Sequence, residues 1–326
     1  MTDVPNERSS HSVPTPRGGG LAIVVVTLTG LWIYSFMALS SFDGRVQLLL
    51  YSIAALLVAA VSWFDDLHSL SNRVRFVVHS LAALLAMGYF GYFDVIHIPI
   101  MGTISIGRFG ILLTYLWIVG LTNAYNFMDG IDGIAGGQAV VAGLAWAAIG
   151  TLNAQPFFTI FGLLLAASSL GFLCHNWPPA EIFMGDVGSS FLGFTFAVLP
   201  VMFGSFVQKV YLRYDLAVTA LLIVWPFVFD TFFTVIRRLC KRENIFNAHR
   251  SHLYQRMVIA SHNHRGVSLL YMTLAAVGSV LALFQIQGFV WSGYAIVFFV
   301  PSACFTLWRY VVQREQDASL FPVDDS

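Results

Sequence analysis

Aspartates in three separate segments are the residues of this sequence best suited to chemistry. Asp65 and Asp66 stand together in FDD, Asp129 and Asp132 lie in NAYNFMDGIDG, and Asp186 lies in FMGDVGSS. Neighbouring carboxylates raise one another's pKa unless a cation neutralises them. The five acids have no matching set of His or Cys, so they best suit a hard cation with oxygen ligands, Mg²⁺ or Mn²⁺.

Each of these motifs also has a purely structural interpretation. The adjacent pair is compatible with a solvated helix end that has Arg73 and Arg75 as partners. Two Asp-Gly pairs indicate more than a cap, because one helix start needs only one Asp and glycine lets the backbone approach a ligand closely. In FMGDVGSS, capping of the next helix by Asp186 or Ser189 remains an open alternative.

A basic segment near residues 237–256 complements the acids. Its first cations, Arg237 to Arg242, are typical of topology signals or of contacts with anionic lipid headgroups. The later residues are different, because two histidines among arginines suit a phosphate or diphosphate better than zinc, for which no third and fourth ligand is evident. These later residues are His249, Arg250, His252 and Arg256.

One further acid lies inside an apolar stretch. Asp230 precedes Arg237 by seven residues, which places it ~10 Å deeper along a helix. An acid at that depth in an apolar helix is a functional-site hypothesis by default.

The elements that position these residues are apolar helices. Of the 326 residues, 57% are hydrophobic and only 10% are charged, against about 25% charged in soluble domains. About 20 apolar residues cross a bilayer as a helix, and the sequence predicts an all-α polytopic membrane protein of about ten spans. These are placed near 19–40, 46–64, 74–93, 109–125, 134–152, 156–174, 188–206, 216–237, 267–286 and 290–309.

The chain is expected to form a single transmembrane domain over residues 1–326. A polar segment, 1–17, precedes the first span, and a polar tail, 310–326, is expected to be frayed. The alternating Ile, the Pro and the Gly residues of 94–108 predict a short extracytoplasmic hairpin or extended loop. A net charge of zero leaves no basic surplus for nucleic acid, and three widely spaced cysteines indicate neither a disulfide scaffold nor a CxxC motif.

The orientation follows from the distribution of Lys and Arg. Thirteen of the 17 fall on the side of the N-terminus, and the other four are Arg45, Arg108, Lys209 and Arg213. Positive residues are retained in the cytoplasm, so both termini are expected there, in the bacterial inner membrane. The same alternation puts all the acid motifs and the basic segment on the cytoplasmic face, which suits phosphoryl transfer between a soluble nucleotide compound and a membrane lipid.

Five motifs in order carry a resemblance to a known family: PTPRGGG, FDD, NAYNFMDGIDGIAGG, FMGDVGSSFLG and AHRSHLYQR. The sequence resembles the polyprenyl-phosphate N-acetylhexosamine-1-phosphate transferases, glycosyltransferase family 4, from about Pro5 to about Arg309. The HRSHLYQR variant is most similar to the bacterial branch that initiates O-antigen synthesis with a UDP-linked deoxy N-acetyl sugar such as FucNAc or QuiNAc.

The resemblance implies roles for individual residues. Asp186 would be the principal Mg²⁺ ligand, while Asp65 and Asp66 would contribute to the metal or to activation of the prenyl phosphate. The remaining implied catalytic residues are Asp132, His249 and His252, and the implied substrate-binding residues are Asn123, Asn126, Asp129, Gly185, Ser189, Arg250 and Arg256.

The implied reaction is attack by undecaprenyl phosphate on a UDP-N-acetylhexosamine, which releases UMP. The partners would be those two substrates and membrane lipids, with a second copy of the chain as a further option. One rival is a secondary transporter, but such proteins place their acids near the bilayer midplane and often show two similar halves, neither of which is evident here. A second rival, the CDP-alcohol phosphotransferases, has an Ala-Arg pair that is absent after Asp129.

Overall fold

The computed structural model describes residues 2–3, 14–38, 42–207, 210–244, 250–261 and 263–320. Within these ranges the chain forms eleven helices and two small antiparallel strand pairs. The helices are α1 Gly20–Ala38, α2 Phe42–His68, α3 Asn72–Phe90, α4 Phe109–Phe127, α5 Ile134–Leu152, α6 Pro156–Asn176, α7 Asp186–Phe206, α8 Val210–Cys240, α9 Leu253–Ser261, α10 His264–Ile286 and α11 Val290–Leu320. The strands are β1 Thr2–Asp3, paired with β2 Thr15–Pro16, and β3 Val95–Ile98, paired with β4 Gly102–Ser105.

All the helices except the short α9 alternate in direction about one face, which we call the acid face because residues 65–66, 129–132 and 186 lie there. Helices α2, α4, α6, α8 and α11 end at the acid face, and α1, α3, α5, α7 and α10 begin there. Contacts between helix ends establish this order. For example, Gly133 before α5 donates to Asn176 at the end of α6, and His264 at the start of α10 lies 3.5 Å from Asp132.

The opposite face carries the hairpin of β3 and β4. The hairpin lies against the first part of α8, and a Cβ added to Gly293 in α11 would lie 3.3 Å from Pro99 at the hairpin turn. On the same side, Gln285 near the end of α10 donates to Asp215 near the start of α8. The structure therefore confirms the predicted hairpin within 94–108.

Helix α7 is the central helix. Every residue from Val187 to Gly204 is buried, as expected for a helix that is apolar on all sides. Its close approach to α1 depends on glycine, since a Cβ on Gly20 would overlap the backbone of Gly188. This tight packing sets Asp186, the first residue of α7, against the start of α1.

Nine helices in the described ranges are long and apolar enough to cross a membrane, in agreement with an all-α polytopic fold. Helix α4 is not among the nine because Asn123 and Asn126 lower the hydropathy of its last turns, although it runs between the same two faces as its neighbours. Several helix ends lie outside the predicted spans, and α8, for example, begins at Val210 where 216 was predicted. Helix α2 continues to His68, and α11 continues through the tail to Leu320, where Val311 is fully buried and Glu315 pairs with Arg256.

Candidate active site

Asp66 holds the beginning of α7. Its Oδ1 accepts the backbone N–H of Asp186 at 3.1 Å, and its Oδ2 accepts that of Val187 at 3.2 Å. Gly185 precedes the helix with φ +75°, and a Cβ there would lie 2.8 Å from Asp66 Oδ2. A left-handed residue without a side chain is therefore required at 185, and Asp66 supplies the cap that glycine lacks. Sequence reasoning left capping by Asp186 or Ser189 as an alternative and did not identify this contact between helices.

Asp65 and Asp186 share one cation. Arg75 Nη1 lies 2.6 Å from Asp65 Oδ2 and 3.2 Å from Asp186 Oδ2. The other Asp65 oxygen accepts the backbone N–H of Leu70 at 2.6 Å. Arg75 Nη2 donates to Asn72 Oδ1 at 2.7 Å, which fixes the orientation of the guanidinium. The repulsion expected between the clustered carboxylates is thus relieved by a built-in positive charge.

The PTPRGGG segment reaches the same acids from the N-terminal side. Phe183 donates its backbone N–H to Pro16 O at 2.8 Å, and Gly18 and Gly19 donate theirs to Phe183 O at 3.1 and 3.0 Å. This pairing places Arg17 Nη1 3.5 Å from Asp66 Oδ1. Sequence reasoning noted the motif but assigned Arg17 no role, since the partner is 49 positions away and only the fold brings them together.

The end of α4 and the loop 128–133, which we call the DG loop, form the next wall of the site. Asn126 Nδ2 donates to Ser189 Oγ at 3.0 Å, which joins α4 to the first turn of α7. Burial raises the pKa of Asp129 well above its ordinary value, and the nearby Asp186 and Asp66 carboxylates raise it further while Arg17 opposes them. Asp129 therefore lies in the same electrostatic environment as the other acids.

Two predicted residues of this region point elsewhere. Asn123 donates its amide to Val119 O at 2.7 Å, within its own helix. Asp132 Oδ2 accepts the backbone N–H of Ala180 at 3.1 Å and lies 3.5 Å from His264 Nδ1. Asp132 thus lines the other side of the DG loop, toward the α6–α7 connection and the start of α10.

The basic segment is only partly described, and His249 lies outside the described residues. Arg256 forms a bidentate salt bridge with Glu315, with Nε 2.6 Å from Oε1 and Nη2 2.5 Å from Oε2. Its guanidinium group is therefore already paired. His252 is buried and its Nδ1 lies 3.2 Å from Asp230 Oδ1. Burial and the Asp230 carboxylate raise the pKa of Tyr254 well above its ordinary value, and the nearby Arg250 opposes this shift.

The structure thus brings together Asp65, Asp66, Asp129 and Asp186 with two arginines, from five different segments. In the described part of the chain no group of three Asp, Glu, His or Cys side chains stands in a metal-holding arrangement. The donor chemistry nevertheless fits Mg²⁺, because the convergent groups are oxygen ligands and the Asp186 side chain is 31% exposed. Arg75 lies between Asp65 and Asp186 and contacts both carboxylates.

The fold and site are those of a polytopic helical membrane protein with an acid cluster at one face, built from α2, α7 and the DG loop. Comparison with known proteins identifies the family. Residues 48–204 match the model of glycosyl transferase family 4. The chain is 29% identical to a probable undecaprenyl-phosphate N-acetylglucosaminyl 1-phosphate transferase of Bacillus subtilis, over 91% of this chain and 80% of that protein. It is 30% identical to a decaprenyl-phosphate N-acetylglucosaminephosphotransferase of Mycobacterium leprae, over 86% and 76%.

A third relative matches a shorter part of this chain with higher identity. A phospho-N-acetylmuramoyl-pentapeptide-transferase of Latilactobacillus sakei is 40% identical over 112 residues, which are 34% of this chain and 35% of that protein. The chain belongs to the polyprenyl-phosphate N-acetylhexosamine-1-phosphate transferase family.

Proposed function

We propose that this protein transfers an N-acetylhexosamine-1-phosphate from a UDP-sugar to undecaprenyl phosphate with the help of Mg²⁺. The products are UMP and a lipid-diphosphate sugar that initiates O-antigen or a related cell-envelope polysaccharide. Membership of the family supports the general reaction. The observation that carries the proposal is the convergence of Asp65, Asp66, Asp129 and Asp186 around two arginine side chains.

The chemistry requires little proton transfer. The second pKa of a phosphate monoester is near ~6, so the lipid phosphate is largely dianionic at neutral pH. One of its oxygens forms a bond to the β-phosphorus of the UDP-sugar, and the bond from that phosphorus to the oxygen bridging the two phosphates breaks, so UMP departs with that oxygen. Positioning and charge neutralisation therefore dominate the barrier.

The residues divide this work between them. Asp186, with Asp65 and Asp66, would hold Mg²⁺, which when bound neutralises phosphate charge. Arg75 and Arg17 hold those carboxylates in place and supply positive charge beside them. In this proposal the nucleotide sugar lies along Asn126 and the DG loop, with Asp129 on the side of the acid cluster and Asp132 on the other side of the loop.

A two-step route, in which Asp65 or Asp66 attacks first, is the alternative mechanism. Both oxygens of each acid already accept hydrogen bonds from N–H groups, which favours direct transfer because a hydrogen-bonded carboxylate is a weaker nucleophile. In that route the aspartate displaces UMP and takes the sugar phosphate, which the lipid phosphate then removes. Rapid quenching after UDP-sugar is mixed with enzyme in the absence of undecaprenyl phosphate therefore distinguishes the routes. A trapped phospho-aspartate would establish the two-step route.

The proposal is tested with purified protein, undecaprenyl phosphate and radiolabelled UDP-sugars, with and without Mg²⁺. Label must move into the lipid phase with one UMP released per sugar, and chelation of the metal must stop the reaction. Asp186→Asn should lower turnover at least 1,000-fold, about 4 kcal/mol, whereas Asp94→Asn, at the hairpin on the opposite face, should retain it. Normal turnover by the Asp186 variant would refute the assignment of that residue.

The sugar is decided by the same assay. The relatives from Bacillus subtilis and Mycobacterium leprae are named for N-acetylglucosamine, while the HRSHLYQR motif resembles that of enzymes for deoxy N-acetyl sugars. UDP-GlcNAc, UDP-FucNAc and UDP-QuiNAc are therefore compared at equal concentration. Preference for a deoxy sugar, expressed as kcat/KM, supports the O-antigen branch, and preference for UDP-GlcNAc contradicts it.

A further inference from the structure

Asp230, in the interior of α8, is the most heavily hydrogen-bonded acid in the described structure outside the acid cluster. It is fully buried. Its Oδ1 accepts from Leu253 N at 2.8 Å, from His252 Nδ1 at 3.2 Å and from Thr234 Oγ1 at 3.2 Å. Its Oδ2 accepts from Tyr254 N at 3.0 Å and from Tyr271 Oη at 2.6 Å. A carboxylate that accepts this many hydrogen bonds anchors the elements that supply the donors.

Most of the hydrogen-bond donors to Asp230 come from the start of α9 and from His252 just before it. Leu253 and Tyr254 are the first two residues of that helix, whose first N–H groups have no partners within the helix. An N-terminal Ser, Asp or Asn usually accepts such groups, but the preceding residue here is His252, which has no side-chain oxygen. Asp230 performs this function from a different helix, and its negative charge also matches the positive end of α9.

The same contact sets the state of the His252 ring. A carboxylate only accepts hydrogen bonds, so His252 Nδ1 carries a proton and donates it to Asp230. The ring lies between Phe127 and Tyr254, with centroids at 6.4 and 5.8 Å. The hydrogen bond from Nδ1 and the neighbouring rings therefore fix the orientation of the His252 ring.

Helix α9 in turn lies against the DG loop. Tyr254 Oη donates to the backbone carbonyl of Phe127 at 2.9 Å, immediately before the loop. Gly130 within the loop has no room for a side chain, because a Cβ there would overlap the Tyr254 hydroxyl and lie 3.2 Å from Gln255 Nε2. The position of α9 thus determines where the loop, and Asp129 within it, can lie.

We infer that Asp230 is a positioning residue, which docks α9 and the His252 ring onto α8 and thereby fixes the DG loop. Among the described residues its hydrogen-bond partners are Tyr271, Thr234, His252 and the first two residues of α9, and it acts on the substrate site through them. The docking of α9 by Asp230 does not depend on what the protein does. The effect of Asp230 on binding of the UDP-sugar rests on the proposed function.

Docking is measured by maleimide labelling in a background without native cysteines. Val258→Cys reports on α9, since this side chain is buried, and Ile259→Cys is the exposed reference beside it. Asp230→Asn should speed labelling of the thiol at position 258 at least tenfold and leave labelling at position 259 unchanged. Asp215→Asn, an acid in the same helix at the opposite face, is the matched control and should change neither. An unchanged rate at position 258 overturns the inference.

A milder variant covers the case in which Asp230→Asn does not fold. Tyr271→Phe keeps the carboxylate and removes only its shortest hydrogen bond. We expect labelling of the thiol at position 258 to rise about threefold in this variant. Labelling equal to that of the parent protein contradicts the anchoring role.

Kinetics separate positioning from simple stabilisation. In Asp230→Asn, KM for the UDP-sugar should rise at least fivefold while KM for undecaprenyl phosphate changes less than twofold. An acid that only stabilised the fold would lower the amount of active protein and leave both KM values unchanged, and that result overturns the role. If the parent protein transfers no sugar, the proposed function fails, whereas the labelling result still decides whether Asp230 docks α9.

Discussion

At the scale of single residues, the arginines explain how the acids are tolerated together. Four carboxylates at a membrane boundary would repel one another and raise one another's pKa values. Arg75 and Arg17 approach them from α3 and from the segment before α1. Because Arg75 uses one nitrogen for both Asp65 and Asp186, its role depends more on charge than on a two-pronged geometry.

This argument predicts an unequal response to two substitutions of Arg75. Arg75→Lys keeps a point charge and should retain kcat/KM within about tenfold, whereas Arg75→Gln leaves the carboxylates uncompensated. We expect the second variant to lose about 100-fold in kcat/KM, which corresponds to ~2.7 kcal/mol. The measurement is sugar transfer at saturating Mg²⁺.

Arg73→Gln is the control for Arg75, because Arg73 is exposed on the same helix and has no contact with the acids in the described structure. It should change kcat/KM less than twofold. If Arg75→Gln retains the activity of Arg75→Lys, the positive charge at this position is dispensable and the argument fails.

At the scale of elements, the sequence predicted which segments are helices better than where they end. Long apolar runs identify helices because the bilayer requires their length and hydrophobicity. Their ends depend on contacts that no local pattern contains. Helix α2 continues through Asp65 and Asp66, where Asp66 caps α7, and α11 continues past residue 309, where Glu315 pairs with Arg256.

The same limit applies to the site. The acid motifs could be found from residue types and spacing, whereas the partners of Asp66 and Asp230 could not. Arg17 lies 49 positions from Asp66, and Tyr271 lies 41 positions from Asp230. Only the packing of the helices brings these pairs together.

The crossing of α1 and α7 yields a prediction at this scale. Gly188→Ala should force the two helices apart, because its Cβ would be placed against the backbone of Gly20. Overpacking typically costs about 1–3 kcal/mol, and a backbone cannot move aside as a side chain can. The Tm of the detergent-solubilised protein should therefore fall by several degrees, and turnover should fall with it because α7 carries Asp186.

Gly88→Ala and Gly120→Ala are matched controls for the glycine contact. Both are helical positions with open space where the Cβ would lie, so alanine should be neutral or slightly stabilising there. A Tm for Gly188→Ala equal to those of the controls would show that α1 and α7 can separate without cost.

At the scale of the whole molecule, alternation of the long helices in the described ranges separates a reactive face from an inert one. Every described helix end that contributes an acid, arginine or histidine to the candidate site lies at the acid face, while the hairpin and the Asp215–Gln285 contact lie at the other. An even number of passes returns the chain to the side on which it entered, which explains how Arg17 and Glu315 both lie at the acid face.

This arrangement and the distribution of Lys and Arg together predict that the acid face is cytoplasmic. Two single-cysteine proteins test it: one keeps only Cys240, exposed at the end of α8, and the other has only Met101→Cys, at the exposed hairpin turn. A membrane-impermeant maleimide applied to spheroplasts should label the hairpin thiol and spare Cys240, and inverted vesicles should give the reverse. A permeant maleimide should label both, which shows that each thiol is reactive. Labelling of Cys240 from outside would place the acids away from the compartment that supplies nucleotides, and a UDP-sugar could then not serve as the donor.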